Sequence, residues 1–283
     1  MSGSKGLGQL APGYDMILSD VWGVLHNGVR AWPEAVAALQ TFRQGGGTVV
    51  LITNSPRPSG PLVHLLDDVG VPRDCYDAIV SSGDATRAML RPYAGRPVHA
   101  VGPDDELYLF DGLDLIFTDA ERAEAIAVTD LDTMDDTPDM YRERAQHWRA
   151  LGLPMIVANP DRVVEHGDRM VYCGGALADL YTELGGEVRM AGKPYAPIYT
   201  EALRLAEAAH GTAVPRSRIL AIGDSVRTDA AGAATEGLDF LFITGSIHAE
   251  ELHGFGDRTE AAVAALLAPT GVQAVSHLSR LRW

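Results

Sequence analysis

Ile17 to Gly28, ILSDVWGVLHNG, is the stretch from which the rest of this 283-residue chain can be read. A short apolar run leads into Ser19–Asp20, and a glycine-containing turn follows at once. Such a run, bounded by turn residues, reads as a buried parallel strand. It delivers Asp20 to the strand's carboxyl end, where open α/β sheets place their ligands. Taken alone, Asp20 reads equally well as a strand-ending residue that caps a turn. Three distant segments, each near the end of another apolar run, tip the balance toward a functional carboxylate.

Outward from this strand, residues 32–44 carry apolar side chains at helical spacing and stop at Gly45–Gly46–Gly47. Residues 48–52 (TVVLI) form a second β-branched strand that runs into Thr53–Asn54–Ser55–Pro56. Strand–helix–strand order implies parallel strands joined by a right-handed crossover. A helix over 61–70 and a short strand over 77–80 follow, the latter running into Ser81–Ser82–Gly83. The middle third then reads as an α/β unit of its own. It has strands over 97–101, 115–116, 125–128 and 155–158, and helices over 85–93, 140–151 and 175–184. Residues 159–167 read as loop. Core-like signals resume with 188–190, Ala191–Gly192–Lys193–Pro194 and a helix over 196–210. A strand over 218–222 ends in Gly223–Asp224 and leads to Asp229, with a helix over 230–236, a strand over 239–244 and a helical run over 260–267 beyond it. The expected fold is α/β: a doubly wound, Rossmann-like parallel sheet built from residues 1–84 and 189–283, interrupted by an inserted α/β domain over 85–188.

Composition narrows the class of partner. Hydrophobic residues at 46% and charged residues at 22% are those of a soluble globular protein. A formal charge of −15 argues against nucleic acid and against an anionic membrane, which both need clustered lysine and arginine. A local anion site stays open, because one lysine and a few backbone N–H groups suffice. Cys75 and Cys173 stand far apart with no metal-pair neighbours, as expected of a reduced, cytoplasmic protein. Residues 1–15 lack a signal-type apolar core and read as a short flexible lead-in; no window reaches transmembrane length.

Asp20, Thr53–Asn54, Lys193, and Asp224 with Asp229 can all converge on one rim of the sheet. Their chemistries are complementary. A carboxylate can act as a nucleophile through an acyl-phosphate. Further carboxylates on short loops suit Mg²⁺, which takes oxygen ligands. A hydroxyl, an amide and an ammonium suit the oxygens of a transferring phosphoryl group.

This ordered set of DVWGVL (20–25), LITNS (51–55), AGKP (191–194) and IGDSVRTD (222–229) resembles the haloacid dehalogenase superfamily. The place of the insertion, with TNSP (53–56), ANPD (158–161) and CGGAL (173–177), looks like its class IIA branch, whose large α/β cap lies between the second motif and the lysine. That branch includes p-nitrophenyl-phosphatase-like, nucleotide, sugar-phosphate and pyridoxal phosphatases. The resemblance implies Asp20 as nucleophile and Mg²⁺ ligand, with the Trp22 backbone carbonyl and Asp224 as further ligands. Asp229 would bind the metal through water or partner Lys193. Thr53, Asn54 and Lys193 would hold the phosphoryl group, and Trp22 would border it. A Mg²⁺-dependent phosphatase of a small phosphorylated molecule follows, with pairing of two copies through the cap as a further implication.

One departure stands out. Phosphatases of this superfamily usually read Asp-x-Asp, the second Asp protonating the leaving oxygen; here that position is Trp22, whose indole N–H donates a hydrogen bond but exchanges no proton. The alternatives are therefore a weakly active or inactive phospho-ligand-binding protein, or a superfamily hydrolase that is not a phosphatase. His26 could substitute for the acid or simply stabilise its turn. Asp161 and His166 in the insertion could fill in, or be solvated loop residues. Arg57 could meet a substrate anion or lie at the surface. Gly174–Gly175 could offer amides over the crevice or merely start a helix.

Overall fold

The computed structural model describes residues 6–253 and 259–283. Its strands, in chain order, are β1 (Met16–Ser19), β2 (Thr48–Thr53), β3 (Ala78–Ser81), β4 (Pro97–Val101), β5 (Ile116–Phe117), β6 (Ala125–Val128) and β7 (Met155–Val157). β8 (Val163–His166), β9 (Arg169–Tyr172), β10 (Val188–Met190), β11 (Ile219–Gly223), β12 (Asp239–Ile243) and β13 (Ala274–Leu278) complete the set. Among the described residues the core is a six-stranded sheet in the order β13-β12-β11-β1-β2-β3, parallel throughout. β1 lies at its centre, so the stretch read first is flanked on both sides.

The near-continuous apolar runs of β1 and β2 have a simple cause: both faces of a doubly wound sheet are covered. Ile17, Val49 and Leu51 point into one apolar cluster with Leu39 and Phe42 of the helix Pro33–Gln44 and Leu66 of the helix Ser59–Val69. Met16, Leu18, Val50 and Ile52 point into the other, with Ile198, Tyr199 and Ala202 of the helix Ala196–His210. Strand side chains alternate faces, so neighbouring residues enter opposite clusters.

The insertion carries its own parallel sheet, in the order β10-β7-β6-β4-β5. Three expectations are corrected here. Val188–Met190, read as the point where the core resumes, is instead the edge strand of the insertion's sheet, parallel to β7; a three-residue strand carries no local mark of the sheet it joins. The loop read over 159–167 contains β8, and β8 pairs antiparallel with β9 across Gly167–Asp168. Gly167 adopts φ +62°, the left-handed geometry that a tight hairpin turn requires. The flexible lead-in is ordered from residue 7 on, while residues 1–5 lie outside the described residues. Leu7 and Leu10 sit in a short helical turn, Leu7 is fully buried in one apolar cluster with Leu281, and its amide donates to the Arg282 carbonyl at 3.0 Å.

The chain leaves the core after β3 and re-enters it at Ala191–Gly192. These two crossings touch: a Cβ placed on Gly192 would lie 2.6 Å from Ser82 Oγ and 2.5 Å from Asn54 Oδ1. No helix of the described residues is long and apolar enough to cross a membrane.

Candidate active site

β1, β2 and β11 are adjacent and parallel, so the segments that follow them open on one rim. After β1, the Asp20 amide donates to the Ile222 carbonyl of β11 at 2.8 Å, which fixes the Asp20 turn to the neighbouring strand. After β11, the chain approaches itself so closely that a Cβ on Gly223 would meet Asp229 Cγ at 2.2 Å. Asp229 Oδ2 accepts from the amides of Asp224 (3.2 Å) and Ser225 (3.1 Å), and the Ser225 hydroxyl in turn accepts from the Thr228 amide at 3.4 Å.

Lys193 lies at the centre of the cluster, 1% exposed. Its Nζ donates to Asp20 Oδ1 at 2.6 Å and to Asp229 Oδ1 at 2.7 Å. Asp229 is thus paired with Lys193, and it also stands in an acidic group with Asp20 and Asp224. The backbone of Lys193 is held by Asn54: the Lys193 amide donates to Asn54 Oδ1 at 2.7 Å, and Asn54 Nδ2 donates to the Lys193 carbonyl at 3.2 Å and to Asp161 Oδ1 at 3.0 Å. Asn54, expected to touch a phosphoryl group directly, thus spends its amide on clamping the lysine loop and the insertion together. The Thr53 hydroxyl accepts from the Ser55 amide at 3.2 Å, and Thr53 faces the same space as Asp20.

Oxygens of Asp20, Asp224 and Asp229 all come within 4.8 Å of one another. Burial and the neighbouring carboxylates push Asp20 well above the usual carboxylate range, against the pull of Lys193. Burial, with Asp229 adding to it, pushes Asp224 up to about 8. Burial opposes the charge on Lys193, but Asp20 and Asp229 outweigh it and the ammonium is held more tightly than usual. Lys193 thus pairs with Asp20 and Asp229, and Asp224 stands beside them. Carboxyls that burial keeps from ionising alone, gathered as hard oxygen donors, fit a divalent cation such as Mg²⁺, which would favour their charged forms.

Two cavities meet over Asp20. One, of about 310 Å³, is lined by Asp20, Lys193, Asp224 and Asp229 of the core and Asp161 and Arg162 of the insertion. The other, of about 220 Å³, is lined by Asp20, Thr53 and His26 from the core and Val171, Tyr172 and His166 from the insertion. Trp22 borders both. Its indole N–H donates to the Glu165 carbonyl of β8, and its ring packs 5.1 Å from the His26 ring and 5.9 Å from that of His166. His26 is 1% exposed, accepts from the Gly28 amide at 2.9 Å, and burial lowers its pKa to about 4. Burial thus favours its neutral form, and its ring nitrogen holds the turn through Gly28. Arg57 stacks over the Tyr108 ring at 5.4 Å and lines the smaller cavity. The Gly175 amide, one candidate donor to the crevice, is taken by the Asp161 carbonyl at 2.9 Å. Sequence reasoning missed the hairpin β8–β9 as a wall of the site; Val163–His166 and Arg169–Tyr172 about a two-residue Gly–Asp turn were its available signal.

Comparisons with known proteins follow the same segments. A family model described as haloacid dehalogenase-like hydrolase matches residues 17–115, and one described as HAD-hydrolase-like matches residues 190–269. The solved structure of a hydrolase of the haloacid dehalogenase-like family from Brucella suis 1330 is 46% identical, with a TM-score of 0.83 over 87% of this chain and 94% of that one. A possible sugar phosphatase from Cytophaga hutchinsonii aligns at 21% identity and TM-score 0.79 over 99% of both chains. A glycerol phosphate phosphatase from Mycobacterium tuberculosis, solved in complex with magnesium, aligns at 24% identity and TM-score 0.59 over 85% of this chain and 70% of that one. No match is found among curated proteins.

Proposed function

The chain belongs to the haloacid dehalogenase-like hydrolases, and from that premise we propose that it is a Mg²⁺-dependent phosphatase of a small phosphorylated molecule, acting through an aspartyl-phosphate on Asp20. The observation that carries this reading is the meeting of Asp20, Lys193, Asp224 and Asp229 at one cavity, although 173 residues separate Asp20 from Lys193. Lys193 occupies Asp20 Oδ1, which leaves Oδ2 as the attacking oxygen. The same ammonium would meet the phosphoryl oxygens, and the Thr53 hydroxyl would join it. Asn54 acts one step back, fixing the loop that carries Lys193. When bound, Mg²⁺ would supply charge neutralisation at the phosphoryl group, held by the carboxylates of Asp20 and Asp224 and the Trp22 carbonyl, with Asp229 beside them. The hairpin and the rest of the cap would shield the site from water during transfer.

The test is phosphate release from a panel of phosphorylated metabolites with and without Mg²⁺, for the wild type and Asp20→Asn. Release that needs both Mg²⁺ and Asp20 supports the reading. Thermal stabilisation by phosphorylated ligands with no release above buffer would instead establish the phospho-ligand-binding alternative. Pairing through the cap draws support from Ile116 and Phe117, 54% and 52% exposed on the edge strand β5. A sedimentation mass of one chain would end that part of the reading.

A further inference from the structure

The nucleophile loop leaves one chemical need unmet. An alcohol expelled from phosphorus departs as an oxyanion unless a proton reaches it, and Trp22 has none to give. Titratable groups on the cavity walls sort by position. Glu165 and Asp179 line only the larger cavity, whereas Glu106, Asp130 and His166 line only the smaller. Apart from Asp20 itself, Asp161 is the one carboxyl among the described residues that lines both.

Asp161 is also held in place. Its Oδ1 accepts from Asn54 Nδ2 at 3.0 Å, its amide donates to Asn159 Oδ1 at 3.2 Å, and its carbonyl accepts from the Gly175 amide at 2.9 Å. Through Asn54 it is tied to the backbone of Lys193, whose ammonium touches Asp20. The cap carboxyl and the core nucleophile are therefore linked through two side chains and one loop. Burial raises the Asp161 pKa above the usual carboxylate range, with Asp229 adding to it and Lys193 and Asn54 pulling against it, so the proton is retained further toward neutral pH.

We infer that Asp161 is the general acid of this enzyme, supplying from the cap the proton that position 22 cannot supply from the core. The inference rests on the phosphatase reading above. In the first step Asp20 Oδ2 bonds to phosphorus, the bond from phosphorus to the leaving oxygen breaks, and its electron pair takes the Asp161 proton. The products are the alcohol, the aspartyl-phosphate and an Asp161 carboxylate. In the second step water attacks phosphorus, the Asp20–phosphorus bond breaks, and a proton of that water returns to Asp161.

Leaving-group dependence tests this. p-Nitrophenyl, phenyl and benzyl phosphate present one ring with an increasingly basic leaving oxygen, so the need for a proton rises along the series while the shape is nearly kept. Asp161→Asn retains an acceptor for Asn54. The expected result is a kcat/KM loss on the order of 10²- to 10⁴-fold for benzyl phosphate in Asp161→Asn. Less than about threefold should be lost for p-nitrophenyl phosphate, which needs no acid. Equal losses on all three esters would make Asp161 structural and overturn the assignment, as would no loss on any. Absence of release by the wild type from all three would overturn the phosphatase reading instead.

Discussion

A methyl group added at Gly23 would lie 2.0 Å from Asp224 Oδ2 and 2.7 Å from Ser246 Oγ, on a backbone at φ +83°. Both the strain and the clash fall on a carboxylate proposed to hold the cation. Gly23→Ala is therefore expected to weaken Mg²⁺ binding by at least about tenfold, equivalent to ~1.4 kcal/mol, as read by titration calorimetry. Trp22 makes a different kind of contribution. Its N–H holds the Glu165 carbonyl, so Trp22→Phe keeps an aromatic ring, smaller than the indole, and loses one hydrogen bond. A net bond of about 1 kcal/mol translates into a roughly fivefold rise in KM, with kcat little changed. If Asp161 supplies the proton, Trp22→Asp brings no gain in benzyl phosphate turnover; a clear gain would show that the acid had been missing.

The hairpin β8–β9 is the element through which cap and core grip each other near the site. Besides the Trp22 bond, the Gly167 amide donates to the Asn27 carbonyl at 3.0 Å, Asn27 Nδ2 donates to the Gly167 carbonyl at 3.4 Å, and the Ser246 hydroxyl donates to Glu165 Oε2 at 3.3 Å. Asn27→Ala removes one of these and frees the turn that Asn27 Oδ1 holds through the Val29 and Arg30 amides. Amide exchange over residues 163–172 should then quicken on the order of tenfold, while β1 and β2 keep their protection. These contacts also show where the sequence stops being legible. β1, β2 and β11 could be read because burial on both faces leaves unbroken apolar runs, and the chemistry at their ends follows from parallel topology. β8 is harder to read: its four residues are half-buried and do not alternate cleanly, so only the Gly167–Asp168 turn that joins them to β9 separates them from loop. The Asn54–Asp161 bond likewise joins two motifs that are each visible, but their meeting depends on how the cap sits on the core.

For the whole molecule the acidic cluster sets a pH dependence. Asp224 moves from an ordinary value of 3.8 to about 8 on folding without metal, so the folded state binds its proton more tightly than the unfolded state does. That stabilisation is complete below about pH 4 and is lost as pH rises through about 8; the raised Asp20 acts in the same direction. In the presence of a chelator, Tm should fall between about pH 5 and 8, and saturating Mg²⁺ should flatten that fall by binding the ionised cluster. A Tm that rises with pH under chelation would contradict the burial-driven shift. At the far end of the fold, Leu7 is fully buried in the same apolar cluster as Leu281, and Leu7→Ala should cost about 2–5 kcal/mol in denaturant unfolding. The contact between Ser82 and Gly192 has a further consequence. Because the insertion departs and returns through a single narrow doorway, a short splice there closes the parent sheet without stretching any of its strands. Exchange of the insertion for that of a kindred hydrolase is therefore expected to leave the core sheet folded, but to remove Asp161 and its bond to Asn54 from the site.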